Sequence, residues 1–309
     1  MAGSPQNYPR LDDGLLDESS LAQHTKKIPQ DELQRIIVSA IGNANAKSSR
    51  IILNIPENVP DEELTDYYRK SGRELFHYFL RYCGDPASTA HQCYRRHYED
   101  IAREQFYNRT LQKERMNSGW RYQYIAKDAA SSSGRFKSVS DIGQAEADFN
   151  VTIGYKERTD ELTIYVSVKN RTNTMGGQDW PKAISALEGV ASSDRNRTGA
   201  YLCVFGIAME KGQRLIKKQG RTGRSYSVNT EIWKSGFFWP FFTDYSYEEI
   251  VQAVLEILIA TEQPLTHDPI PDGLIESFGD SCRSKGLIDS DGYFCDPQKL
   301  ASCMCGVLK

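Results

Sequence analysis

Residues 145–171 constrain this chain more than any other stretch, because two arms alternate polar and apolar side chains across a polar break. In the first arm Ala147, Phe149, Val151 and Ile153 point one way, and Glu146, Asp148, Asn150 and Thr152 the other. In the second, Leu162, Ile164, Val166 and Val168 oppose Thr163, Tyr165, Ser167, Lys169 and Arg171. A period of two is the mark of strands that turn one face to a core. Arg158, Thr159 and Asp160 supply the turn. The pattern predicts a β-hairpin. With the turn centred between Arg158 and Thr159, Asp148 lies opposite Lys169; centred between Thr159 and Asp160, Asp148 lies opposite Arg171 and Lys169 opposite Asn150. Either way Asp148, Ser167 and Lys169 share a face, where directly opposed Cβ atoms are about 5 Å apart. An acid and a lysine converge on one patch.

After the hairpin, residues 170–177 read as a loop, and a helix then begins with Asp179 as N-cap and Pro181 in its first turn. Trp180, Ile184, Leu187 and Ala191 make its apolar stripe, and Glu188 lies on that stripe. A carboxylate on a core-facing surface needs a partner, because an unpaired buried charge is expensive. A metal ion beside Asp148 would serve, as would an arginine. Residues 200–208 are a continuous apolar run suited to a buried central strand. Residues 232–242, rich in Trp and Phe, read as another core strand, and residues 245–260 as a helix with Ile250, Val254, Ile257 and Leu258 inward.

An acid at the start of one strand and x-x-Lys on the next, with a helix and a strand after them, resembles the PD-(D/E)XK nuclease superfamily, which includes most type II restriction endonucleases. Ala147 and Asp148 take the "PD" position, and Ser167, Val168 and Lys169 the "(D/E)XK" position. Two departures stand out: Ala replaces Pro, and Ser replaces the second acid. Some restriction enzymes of the family also carry Ser there and take the missing carboxylate from the helix after the lysine strand. The resemblance covers about residues 95–260. It implies a restriction-endonuclease-like core in a mixed α/β fold, a central mixed sheet flanked by helices. It implies Mg2+ held by Asp148, by the Val168 carbonyl and by a second acid, Glu188 on the helix or Glu146 on the strand. Lys169 would contact the attacking water and the phosphate, and Ser167 would hydrogen-bond a water or the other carboxylate. The expected activity is sequence-specific hydrolysis of double-stranded DNA by a homodimer, since a palindromic site calls for a two-fold symmetric reader. A repair or junction nuclease of the same fold and a catalytically inactive DNA-binding module are the alternatives.

Net charge is −3 over 309 residues, so nothing global advertises nucleic-acid binding. The basic residues are local instead. Residues 211–224 carry Lys211, Arg214, Lys217, Lys218, Arg221 and Arg224 and no acid, an excess suited to phosphate contact. Residues 117–143, rich in Ser and Gly, predict an irregular loop that brings Arg135 and Lys137 to DNA, and Arg171 and Asn173 come just after the lysine strand. Helices are expected from Gln30, with a break at residues 42–49, from Pro60 to the mid-80s, and from His91 to Arg115. The chain thus divides into an N-terminal arm and helical subdomain (1–90), a nuclease core (91–265) and a Cys-containing tail packed on that core (266–309). There is no P-loop or G-x-G-x-x-G fingerprint, so no nucleotide cofactor is expected. Neither a secretory signal nor a membrane span is expected. Seven cysteines suit reduced thiols in the cytoplasm; for Cys282, Cys295, Cys303 and Cys305 a zinc site is the competing reading, although their spacing matches no common module.

Overall fold

A computed structural model describes residues 6–22, 26–47, 59–82, 85–172, 180–219, 222–261 and 270–307. The chain divides into two compact units, each assembled from two separate stretches: residues 1–47 with 117–263, and residues 48–116 with 264–309.

The first unit is built on a six-stranded mixed sheet in the order β1-β2-β3-β4-β6-β5. Its strands are β1 (Ser138–Asp141), β2 (Phe149–Gly154), β3 (Glu161–Lys169), β4 (Ala200–Ile207), β5 (Arg214–Leu215) and β6 (Thr230–Lys234). β1, β2 and β3 form an antiparallel meander, β3, β4 and β6 run parallel, and β5 returns antiparallel on β6. β3 and β4 are buried along nearly their whole length, which is why they read as apolar runs. One face carries Phe149, Val151, Ile164, Val166, Leu202 and Val204 into a core shared with helices α1 (Gln30–Lys47), α6 (Ser235–Thr243) and α7 (Tyr247–Thr261) and with the second half of α4 (Tyr98–Ser132). Gly206 is needed there: a Cβ would stand 2.3 Å from the Phe238 ring of α6. The other face carries Tyr165, Cys203, Phe205 and Ile207 against Ile184, Leu187 and Ala191 of α5 (Trp180–Ser193). The predicted stripe packs here, Ile184, Leu187 and Ala191 buried and Trp180 edge to face on Phe205, with Ala183 and Val190 beside it.

The second unit is helical: α2 (Asp61–Tyr82), α3 (Pro86–Cys93), the first half of α4, α8 (Asp272–Ser284) and α9 (Pro297–Met304). Leu75, Phe76 and Phe79 of α2 meet Leu274 and Phe278 of α8 and Phe294, with the Phe76 and Phe278 rings edge to face at 5.7 Å. Asp85 and Asp296 cap α3 and α9 by accepting the Ser88 and Lys299 amides at 2.7 and 2.9 Å, as N-cap carboxylates do.

Several expectations are corrected. The break at residues 42–49 is absent as far as Lys47, because α1 continues through Gly42. The loop over 117–143 is helix as far as Ser132: Tyr122, Ile125, Ala126, Ala129 and Ala130 are buried at helical spacing, and the serines and asparagines that suggested a loop share the same helix. The aromatic stretch after Lys234 is not strand but α6, with aromatic rings buried on several sides. The tail joins α2 and α3 in the helical unit, so the boundaries at 90 and 265 do not separate the units. Cys282 and Cys303 are buried thiols while Cys295 and Cys305 are exposed, and no group of three metal-ligating side chains forms among the described residues. Among the described residues no helix is long and apolar enough to cross a membrane.

Candidate functional site

Asp148 stands immediately before β2. Pairing of β2 with β3 runs from Phe149 opposite Val166 to Gly154 opposite Glu161. This places Asp148 beside Ser167, not Lys169 or Arg171, a shift of two residues from the nearer expected register. Within β3, Ser167 and Lys169 share a face by alternation, but the alternation expected from Ala147 to Ile153 is corrected. Ala147 packs with Tyr165 and α5 while Phe149, Val151 and Ile153 pack in the opposite core, so it breaks around Asp148. The regular ladder ends here. The Asp148 amide donates to the Val166 carbonyl at 2.8 Å, and the Asp148 carboxylate accepts the Val168 amide at 2.6 Å. A side chain thus replaces the main-chain acceptor that the next rung would have supplied. Since N–H and C=O of one strand residue point the same way, the Val168 carbonyl also faces the mouth where β2 and β3 part.

Lys169 closes β3 half-buried, and its ammonium makes no hydrogen bond or ion pair with another described residue. Its carbonyl accepts the Ala208 amide at 2.9 Å, fastening the strand end to the end of β4. Ser167 is buried. Glu146 lies exposed in the bend before Asp148.

Glu188 is not brought to this mouth. Its carboxylate accepts the hydroxyls of Ser227 and of Thr230, the latter at 2.7 Å. Thr230 pairs with Cys203, which pairs with Tyr165, so Glu188 is anchored three strands across from Asp148, roughly 14 Å at ordinary strand spacing. The helix stripe agrees with the expected one, but the partner of the acid is a pair of hydroxyls, and the metal role expected for Glu188 is corrected accordingly.

The basic residues expected to meet DNA divide in two. Arg135 is buried; it donates to the Phe241 carbonyl at 3.0 Å, pairs with Glu18 and lies 4.3 Å from the Phe241 ring centre. Arg214 donates to the Leu16 carbonyl at 2.5 Å and faces Glu231 at 3.9 Å. Arg135 is enclosed and Arg214 largely so, and both are committed to carbonyls and acids within the unit. Lys137 is exposed and paired with Glu161 at 2.6 Å. Lys211, Lys218 and Arg224 are exposed, and Lys217 lies 5.1 Å from the Trp180 ring centre. Residues 217–219 and 222–226 are bonded to each other, the Tyr226 amide donating to the Lys217 carbonyl and the Gln219 amide to the Arg224 carbonyl. Arg171 is exposed just beyond β3. Asn173, Asp179 and Arg221 lie outside the described residues.

Two features escape a reading of the sequence. Glu231, fully buried in β6, accepts the Leu16 amide at 2.5 Å and the Trp233 indole N–H at 2.6 Å. Burial pushes its carboxyl above the ordinary range, while Trp233, Leu16, Arg214 and Arg10 pull the other way. The second is a groove of about 560 Å³ on the Tyr165 side of the sheet, between the polar face of β1, β2 and β3 and the turn after α5. The only sequence signal for it is the run of small polar and charged residues 192–198. In comparisons with models of known families and with curated proteins, the chain gives no match.

Proposed function

We propose that this chain is a Mg2+-dependent endonuclease that hydrolyses phosphodiester bonds of double-stranded DNA, in the manner of a type II restriction enzyme acting as a homodimer. The observation that carries the reading is the mouth between β2 and β3: a half-exposed carboxylate, Asp148, on the Val168 amide, with the lysine after Val168 lacking a partner for its ammonium among the described residues. The order of acid, x-x-Lys strand, helix and parallel strand is that of the superfamily the sequence resembles.

The donors at the mouth are oxygens, the Asp148 carboxylate and the Val168 carbonyl, of the kind Mg2+ takes when waters and a substrate phosphate complete its shell. Bound there, the ion would neutralise phosphate charge and acidify a water. Lys169, as a point charge with three rotatable donors, would hold a phosphate oxygen and the attacking water in line. Ser167, buried beside Asp148, would fix the strand geometry from which Lys169 projects. Lys211, Lys218 and Arg224 would add sequence-independent attraction to the phosphate backbone.

A second reading, a DNA-binding module that does not cut, is favoured by Ser167 in place of an acid and by the Glu188 carboxylate being held by Ser227 and Thr230. Incubating the full chain with a sequenced plasmid and magnesium separates the two. Discrete magnesium-dependent bands are expected; retention of the plasmid without cutting would establish the second reading, and neither binding nor cutting would remove both.

A further inference from the structure

The groove beside the mouth has a consistent chemistry. Its carboxylates are spoken for: Asp141 by Lys127 at 2.8 Å, Glu161 by Lys137 at 2.6 Å, and Asp194 by the Tyr165 hydroxyl at 2.6 Å and the Asn196 amide at 2.9 Å. Arg197 is turned into the protein, donating to the Ala191 and Gly199 carbonyls. The groove presents one cation, Arg195, and three carboxamides, Gln144, Asn150 and Asn196, whose side chains have no partner among the described residues. Hydroxyls of Ser138, Ser140 and Thr152 line its strand side, and Ile142 and Val190 supply apolar wall. The groove begins near the mouth: the amide of Ile142, a lining residue, donates to the Asp148 carbonyl at 3.2 Å, and Asn150, also a lining residue, stands two residues after Asp148.

Carboxamides and arginine are the side chains that pair with base edges and phosphates. A volume of about 560 Å³ falls in the range that encloses a small ligand, roughly 300–1,000 Å³, and excludes a duplex. We infer that the groove holds an unpaired nucleotide of the DNA strand whose phosphate lies at the mouth, with Arg195 on its phosphate, Asn150 on its base edge and Ile142 and Val190 against its apolar face. The choice of DNA rests on the proposed nuclease function; the groove chemistry does not.

The test is fluorescence anisotropy of the full chain without magnesium. The probes are a short fluorescein-labelled DNA duplex with unpaired nucleotides at one end and the same duplex made blunt. The unpaired end should be preferred, and Asn150→Ala and Arg195→Ala should each weaken its binding about tenfold, the loss of one good polar contact. Arg195 is on an exposed turn, so its variant keeps the test valid even where Asn150→Ala disturbs the sheet. A wild-type chain indifferent to the two probes, or variants that keep the preference, would overturn the assignment. Plasmid cleavage in parallel separates the two claims. A preference lost in the variants of a chain that does not cut leaves the groove standing and removes the nuclease; cutting by a chain whose variants bind unchanged does the reverse.

Discussion

Asp148 at the head of β2 and Glu231 in β6 are carboxylates of one sheet in opposite surroundings. Glu231 is fully enclosed and takes two N–H donors while facing a guanidinium, and it binds the residue 10–21 arm to the sheet through the Leu16 amide. Asp148 is half-exposed where two strands part, and the ammonium of the lysine beside it has no partner among the described residues. What separates them is enclosure: one carboxylate is shut inside the sheet, the other is partly open to solvent at the strand end. An acid whose donors are fixed inside the protein holds the fold, whereas an acid at an interrupted ladder can meet a ligand. The same division separates Arg135 and Arg214, enclosed by carbonyls and rings, from Lys211, Lys218 and Arg224 at the surface.

Glu231→Ala should have the largest effect. It strands the Leu16 amide, the Trp233 indole N–H and the Arg214 guanidinium, and should cost about 3–5 kcal/mol of stability, read by urea denaturation, while Glu231→Gln costs less. A variant as stable as wild type would show that the enclosed acid is not a fastening. Next come Asp148→Ala and Lys169→Ala. Each should slow plasmid cleavage about 100- to 1,000-fold, ~3–4 kcal/mol of barrier, with no more than about 1 kcal/mol lost in stability for the Val168 amide left to water. Near wild-type cleavage by either would empty the mouth of its role. Glu188→Ala sharpens the contrast between acids: Ser227 and Thr230 lose an acceptor, so about 1–2 kcal/mol of stability should go while cleavage holds. Cleavage lost as fully as in Asp148→Ala would return Glu188 to the metal.

The smallest effect is a pH dependence. The Glu210 carboxyl is pulled down to about 2 by Lys234 at 2.7 Å and by Thr172. Because its folded value lies below the ordinary one near 4.3, the folded state binds fewer protons. Its stabilisation is therefore present above that value and disappears as pH falls from there toward 2. Exposure of 32% of the side chain to solvent keeps it under about 1 kcal/mol. The gap in thermal midpoint between wild type and Glu210→Gln should be open at pH 7 and close on acidification; a gap that widens in acid would reverse the sign of the argument.

The sequence made faces legible and left registers open. Alternation holds from Phe149 to Ile153 and along β3, where Ser167 and Lys169 share a face, and fails at Ala147, which packs on the α5 side. It could not choose among pairings two residues apart, because the six residues between Gly154 and Glu161 carry no two-residue turn signature. The stripe of α5 is visible from spacing, but the hydroxyls that hold Glu188 come from residues 227 and 230, which only the parallel pairing of β4 with β6 brings near. The α4 stretch after Met116 misleads because Asn117, Ser118 and Gly119 are loop-prone in isolation, whereas burial of Tyr122, Ile125 and Ala129 decides for helix. The apolar run after Lys234 has no clear period, so strand and helix could not be told apart.

The helical unit takes its halves from residues 48–116 and 264–309, and a ribosome delivers those halves far apart in time. The sheet unit has all of its strands and helices by residue 263. α2 emerges early, with Leu75, Phe76 and Phe79 on one face, yet Leu274, Phe278 and Phe294 that cover this face come about two hundred residues later. For most of translation the nascent chain carries an uncovered aromatic helix beside a unit that is already closing, the kind of surface that aggregates or is shielded by a chaperone. Stalling or truncation ahead of α8 would therefore produce chains that are sticky at their first third while intact in their sheet.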